Sequence, residues 1–248
     1  MNPVRAPASI FALHGKSVAI AGATGNVGEG VVRTLLRAGA KVFALTRSED
    51  RFERLARLLE GERTENLTGI AGDTSTLSGM SSLAAKIAAE HGPIDHAVVA
   101  LGQWWQGKRV WEVPEEDFQR YFLDTMVLHF AAARALAPLV EEGGSYTVLA
   151  GLSAVTPLPG ASLVGMQGAA HLMLARELQA DAGERLRVNS LVLGFVRSRG
   201  RTSGKPSWLT ADDVGHLVLR LAASRVAGRQ IRADVKEVAE RSLKELGL

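Results

Sequence analysis

The sequence contains no cysteine. That one absence removes a disulfide framework, a thiolate metal site and a cysteine nucleophile, and it fits a reducing compartment. Long apolar runs are missing as well. None reaches the roughly 18–20 residues that a bilayer-spanning helix needs, and the first fourteen residues lack the apolar core of a signal peptide. A soluble, cytoplasmic protein is expected, with no membrane partner. Charge of one sign is also scarce: 29 Lys and Arg stand against 26 Asp and Glu. No five like charges run together, so nucleic acid is not an expected partner either. No metal site is expected. Aromatics make up only 5% of the chain, and the only tyrosines are Tyr121 and Tyr146.

What is present is an ordinary globular composition: 248 residues, 46% hydrophobic and 22% charged. A chain of this length can bury a sizeable core without covalent or metal staples. Short apolar runs at 17–21, 42–45, 67–71, 96–101, 146–150, 188–193 and 230–233 read as strands, several of them apolar at nearly every position, as strands covered on both faces must be. Helical patterns lie between them at 28–38, 51–59, 78–90, 114–140, 162–181, 211–223 and 235–246. After a short N-terminal lead, residues 1–14, this alternation predicts an α/β fold. It is one Rossmann-type doubly wound domain, with a seven-stranded parallel sheet and helices on both faces. Ligands of such sheets bind beyond the carboxyl ends of the strands.

The most informative stretch is Ala21-Gly22-Ala23-Thr24-Gly25-Asn26-Val27-Gly28-Glu29-Gly30, between the first strand and the first helix. Glycines at 22, 25 and 28 permit a tight turn and close packing of helix on strand. The amides of Thr24, Asn26 and Val27 and the helix N-terminus can then face a diphosphate. A glycine triplet alone can be a bare turn; its place after a strand and before a helix favours a dinucleotide site. At the end of the second strand stand Thr46, Arg47 and Ser48. An acid there would accept from the ribose 2′-hydroxyl of NAD and repel a 2′-phosphate. A guanidinium pairs with the phosphate, so NADP(H) is expected over NAD(H), although Arg47 could also be a solvated charge. Asp73, followed by Thr74, could accept from the adenine amino group or cap the next turn.

These features, with the strand that ends Val99-Ala100-Leu101-Gly102, then Gly144-Ser145, Arg187-Val188-Asn189-Ser190 and Val226-Ala227-Gly228-Arg229-Gln230, resemble the short-chain dehydrogenase/reductase family. The resemblance covers nearly the whole chain. It implies an oxidoreductase, cofactor contacts from Ala100, Gly102 and Ser198, and a substrate-covering loop at 194–208, shortened here. It also implies a Tyr as proton donor and acceptor, a Lys four residues later that lowers the pKa of the phenol from about 10, a substrate-positioning Ser and a supporting Asn. Set on the family's helix, Gly168-Ala169-Ala170 through Leu174-Ala175-Arg176 puts Val164 where the Tyr is expected and Gly168 at the Lys. Gly151 then stands at the Ser and Thr125 at the Asn. The general acid–base help that such groups give is worth about 10²- to 10⁴-fold.

Candidates to replace them are Ser153, two residues past Gly151; Tyr121, one turn before Thr125; and Gln167, beside Gly168. Each has a plain alternative: a loop hydroxyl, a ring packed under the sheet, an amide facing solvent. His129 and His171 are further titratable groups on apolar helices, where a lone His is more often structural. Trp104 and Trp105 could stack on a flat ligand or fill core. Arg197, Arg199, Arg201 and Lys205 in the 194–208 loop could clamp an anion, or ride on a mobile, solvated loop, which the glycines at 200 and 204 favour. Three functions remain open. One is an NADP-dependent oxidoreductase acting on a small activated carbonyl, imine or enone. The others are a silent NADP(H) sensor and a non-redox enzyme reusing the pocket. The family commonly forms dimers through its two long helices, where Ala131-Ala132-Ala133 and Ala169-Ala170 would allow close approach, and tetramers through the last strand and helix.

Overall fold

The computed structural model describes residues 12–248; residues 1–11 of the expected lead lie outside them. Six strands, β1 (Ser17–Ala21), β2 (Lys41–Thr46), β3 (Leu67–Ala71), β4 (Ile94–Val99), β5 (Val140–Gly151) and β6 (Leu186–Leu193), are joined at the edge by β9 (Gln230–Ala233). They form one parallel sheet of order β3-β2-β1-β4-β5-β6-β9. Two short strands, β7 (Val196–Arg197) and β8 (Leu209–Thr210), pair separately. The order reverses between β1 and β4, the switch point at which such sheets bind ligands.

Helices cover both faces. Val31, Leu35 and Leu36 of α1 (Asn26–Arg37) pack with Val214, Leu217, Val218 and Leu221 of α7 (Ala211–Ala223) in one buried cluster, which also takes in residues of α2 (Glu49–Leu58) and α8 (Lys236–Glu245). On the other face Met80, Leu83 and Ile87 of α3 (Leu77–His91) meet Ala131, Ala132 and Leu136 of α5 (Asp124–Leu136) and Ala175 of α6 (Ser162–Ala182). Local sequence sets the helix starts: Thr76 accepts from the Gly79 amide at 3.1 Å, and Thr210 and Asp213 form a reciprocal capping box at the head of α7.

Three expectations change. The helix expected over 114–140 is divided into α4 (Glu115–Phe118), a π-helical turn (Gln119–Leu123) and α5. Residues 137–139 form a turn, and the last residue of the expected helix belongs to the next strand, because Val140 pairs with Ile94. The register then shifts, so that His96 pairs with Ser145, and the polar run Glu141-Glu142-Gly143-Gly144 enters β5 as an irregularity in the ladder. Ala131, Ala132 and Ala133 are buried and belong to the cluster that α3 helps form, so their small side chains serve intramolecular packing. Finally, the 194–208 loop is built rather than loose. Ser198 and Arg201 exchange two 2.9 Å backbone hydrogen bonds, and the Arg201 guanidinium lies 4.9 Å from the Phe195 ring centroid and 6.0 Å from that of Trp208.

Candidate active site

The turn after β1 is wound as tightly as its glycines allow. Gly22 has φ +91°, and a Cβ there would lie 2.4 Å from the Ala100 carbonyl oxygen at the end of β4; a Cβ on Gly28 would lie 2.1 Å from the Gly22 oxygen. Neither position takes a side chain. Gly25 accepts the Glu29 amide and donates to Gly22. As the N-cap of α1 it offers no side-chain partner. The first amides of α1, from Asn26, Val27 and Gly28, thus have no side-chain cap, and the helix dipole behind them favours an anion. Thr24 is part-exposed on the same turn, Asn26 exposed and Val27 part-exposed.

At the end of β2, Thr46 is buried and its hydroxyl donates to the Ser48 carbonyl at 3.2 Å, so Arg47, which is exposed, and Ser48 are the groups free to face a ribose phosphate. Asp73 takes its capping alternative: its carboxylate accepts from the Ser75 amide at 2.7 Å and from the hydroxyls of Ser75 and Thr76, each at 2.5 Å. Those bonds hold its pKa down to about 2. Thr74 beside it is buried. Ala100 lies against Gly22 of the phosphate turn, and Gly102, two residues on, has φ +143°. Ser198 lies in the built loop beyond β6.

Where the resemblance expects the Tyr and Lys, α6 presents Val164 and Gly168 and contains neither residue type. A short 3-10 turn, Leu152–Ala154, packs straight onto that face. A Cβ on Gly168 would lie 2.7 Å from the Ala154 Cβ, and one on Gly165 would lie 3.2 Å from the Ser153 carbonyl. Ser153 itself is part-buried, with its hydroxyl 3.6 Å from where a Cβ of Gly151 would stand. Tyr121 sits in the π turn, a feature common at functional sites, and packs with Trp105, Leu163 and Val164. Its ring centroid is 6.3 Å from that of Trp105. Trp105 is thus core, whereas Trp104 is half exposed and 6.3 Å from Phe195. These two rings belong to the loops that follow β4 and β6, the strands that flank β5.

Behind this surface runs a seam between α5 and α6. Thr125 and His129 sit at i, i+4 on one helix, Gln167 and His171 at i, i+4 on the other, and all four are buried. The imidazoles stack with centroids 3.3 Å apart and planes at 20°. His129 donates from Nε2 to the Leu101 carbonyl at 3.2 Å, while Thr125 Oγ1, Gln167 Oε1 and His171 Nε2 have no protein partner among the described residues. Burial drives both imidazoles to the neutral form, His129 to about 4 against the opposing pull of its bond to Leu101, and the His129 ring further disfavours charge on His171. Gln167 is therefore an interior amide and not a solvated one. Sequence reasoning did not single out Ala154, Glu29, Phe195 or Trp208. Of these, only Glu29, four residues before Arg33, left a local signal.

A family model described as enoyl-(acyl carrier protein) reductase matches residues 22–207. The chain belongs to the short-chain dehydrogenase/reductase family. Among this family's curated members, the chain is 29% identical over 198 residues to the cis-2,3-dihydrobiphenyl-2,3-diol dehydrogenase of Paraburkholderia xenovorans, covering 77% of this chain and 70% of that protein. It is 24% identical over 202 residues to the NADH-dependent enoyl-[acyl-carrier-protein] reductase of Bacillus subtilis, covering 76% and 75%. Solved structures share the fold. The L-sorbose reductase of Gluconobacter frateurii, complexed with NADPH and L-sorbose, superposes with TM-score 0.79 at 19% identity over 92% of this chain and 98% of that one. A Serratia marcescens short-chain dehydrogenase/reductase gives 0.78 at 22%, over 89% and 96%.

Proposed function

We propose that this protein is an oxidoreductase that binds NADP(H) and acts on a small activated acceptor, a carbonyl, imine or enone, without the Tyr–Lys pair. The observation that carries the reading is the β1–α1 turn, where Gly22 and Gly28 admit no side chain and the first amides of α1 have no side-chain cap. Preference for the 2′-phosphate rests on Arg47, exposed where an acid would select NAD; the relatives alone do not decide it, since one is an NADH enzyme. When bound, the cofactor would supply or accept a hydride. The chain's part is to hold the diphosphate, to seat a flat acceptor against Trp104 and Phe195, and to hold a proton at the Ser153 or Tyr121 hydroxyl or on a bound water. Hydride transfer needs chiefly positioning, so an acceptor that is already polarised suits such a site.

Closure of the Gly168 face by Ala154 favours a second reading, in which NADP(H) binds without turnover and the bound state is sensed by a partner. The test is NADPH consumption across a panel of activated acceptors, alongside a binding titration. Turnover of any acceptor supports the first reading, and tight binding with no oxidation across the panel supports the second. For the assembly, we propose that a second copy covers the exposed apolar face made by Leu123, Val127 and Phe130 with Met166 and Met173. We also place the protein in the cytoplasm, on its lack of cysteine; no described helix is long and apolar enough to cross a membrane.

A further inference from the structure

Glu29 lies in the first turn of α1, one residue past Gly28, and its carboxylate is nearly closed off from solvent. Oε1 accepts from Arg33 at 2.7 Å and Oε2 accepts from Nε of Arg199 at 2.9 Å. The two cations are not equivalent. Arg33 is shared with Asp212, which it meets at 2.6 Å, whereas Arg199 comes from the 194–208 loop, 170 residues away in sequence, and has no other acid partner among the described residues. Its bond to Glu29 uses Nε alone. Both terminal nitrogens of the guanidinium are without a hydrogen-bond partner among the described residues, and the side chain is 44% exposed.

The loop brings this group to the phosphate turn by direct contact. A Cβ on Gly200 would lie 2.3 Å from Nδ2 of Asn26, so the loop backbone rests on the first residue of α1. The hairpin bonds between Ser198 and Arg201 fix the two residues on either side of that contact. A guanidinium that is anchored through Nε and open at its terminal nitrogens is prepared to take two oxygens of one anion in parallel. The neighbouring amides of Asn26, Val27 and Gly28 favour an anion at the same place. There is also an electrostatic need: a diphosphate settling on these amides meets the Glu29 carboxylate, and Arg33 is already divided between two acids.

We infer that Arg199 is a diphosphate ligand, delivered by the 194–208 loop and aimed by Glu29, so that the loop supplies half of the phosphate site and α1 the other half. This rests on the proposed dinucleotide binding. The test compares the affinities of the wild-type protein, Arg199→Gln and Arg199→Lys for NADPH, for ADP-ribose, which keeps the diphosphate, and for adenosine 2′-monophosphate, which lacks it. Arg199→Gln is expected to weaken NADPH and ADP-ribose binding about tenfold or more, the worth of one charge-assisted contact. Arg199→Lys, which cannot hold Glu29 and a phosphate through one planar fork, should recover only part of the loss. Adenosine 2′-monophosphate should bind all three proteins alike. Unchanged NADPH affinity in Arg199→Gln overturns the inference and leaves dinucleotide binding standing. An equal loss for all three ligands overturns it in favour of a general field effect. Failure of the wild-type protein to bind either dinucleotide ligand overturns both readings together.

Discussion

The Cβ that Gly168 lacks would lie 2.7 Å from the Cβ of Ala154. Where the family resemblance expects a lysine, the backbone of α6 and the turn after β5 are thus already in contact, and the space for a long side chain has been filled. Restoring the expected residues in place should therefore fail twice. Gly168→Lys is expected to destabilise the fold by about 1–3 kcal/mol through overpacking, lowering the melting temperature by roughly 2–4 °C per kcal/mol. The double variant Val164→Tyr, Gly168→Lys should gain no NADPH-dependent turnover. Melting curves and steady-state rates check both parts, and a stable, active double variant would show that the turn yields easily.

The proposed preference for the 2′-phosphate rests on Arg47, exposed at the end of β2. Arg47→Glu replaces an attractive group with a repulsive one. NADPH affinity should fall by roughly tenfold to a hundredfold, the worth of a hydrogen bond to a charged group at about 1.5–3 kcal/mol, while NADH affinity stays or improves. Paired titrations with the two cofactors measure the ratio. Equal losses for both would mean that the residue acts on the turn and not on the ribose.

Three buried imidazoles give the protein a defined acid weakness. His96, bonded through Nδ1 to Ser145 at 2.9 Å, is pushed by burial to about 4, as is His129, and His171 is lowered further in the stacked pair. A His whose pKa is lower folded than unfolded leaves the unfolded chain holding more protons between the two values. Its stabilising effect is complete above about pH 6.5 and is lost as pH falls toward about 4, at up to about 1.4 kcal/mol per pH unit for each group. Asp73 titrates lower, its effect fading only as pH falls from its usual carboxyl range toward about 2. Urea denaturation at stepped pH should show this loss, and His171→Leu should flatten it. Stability that does not change between pH 6.5 and 4.5 would refute the buried neutral pair.

What the sequence made legible follows from what is local. The strands ending at Ala21 and Thr46 stood out because burial on both faces demands apolar residues at nearly every position, and the phosphate turn stood out because Gly22 and Gly28 are required by backbone contact. The start of β5 did not, since Glu141 and Glu142 occupy an irregular stretch where the apolar pattern lapses. Nor did the π turn at 119–123, whose residues fit an unbroken helix. Arg199 on Glu29, His129 on His171 and Ala154 against Gly168 join distant parts of the chain, and composition in a window carries no trace of such pairs. The polyalanine run showed small residues but not which surface they face, and it turned out to face inward.

The exposed apolar face on α5 and α6 gives the last test. Phe130 is 48% exposed and Met173 50%, and Leu123, Val127 and Met166 are exposed too; water covers such apolar area at a cost of about 25 cal/mol for each Å². A two-fold interface needs the same patch on both partners, so one substitution acts twice. In the proposed dimer, Phe130→Glu places two carboxylates in an apolar contact and should leave a monomer at micromolar concentration, without lowering NADPH affinity at the phosphate turn. Light scattering after size exclusion reads the mass directly. A dimer that survives both Phe130→Glu and Met173→Lys would assign the contact to another surface, such as the edge strand β9.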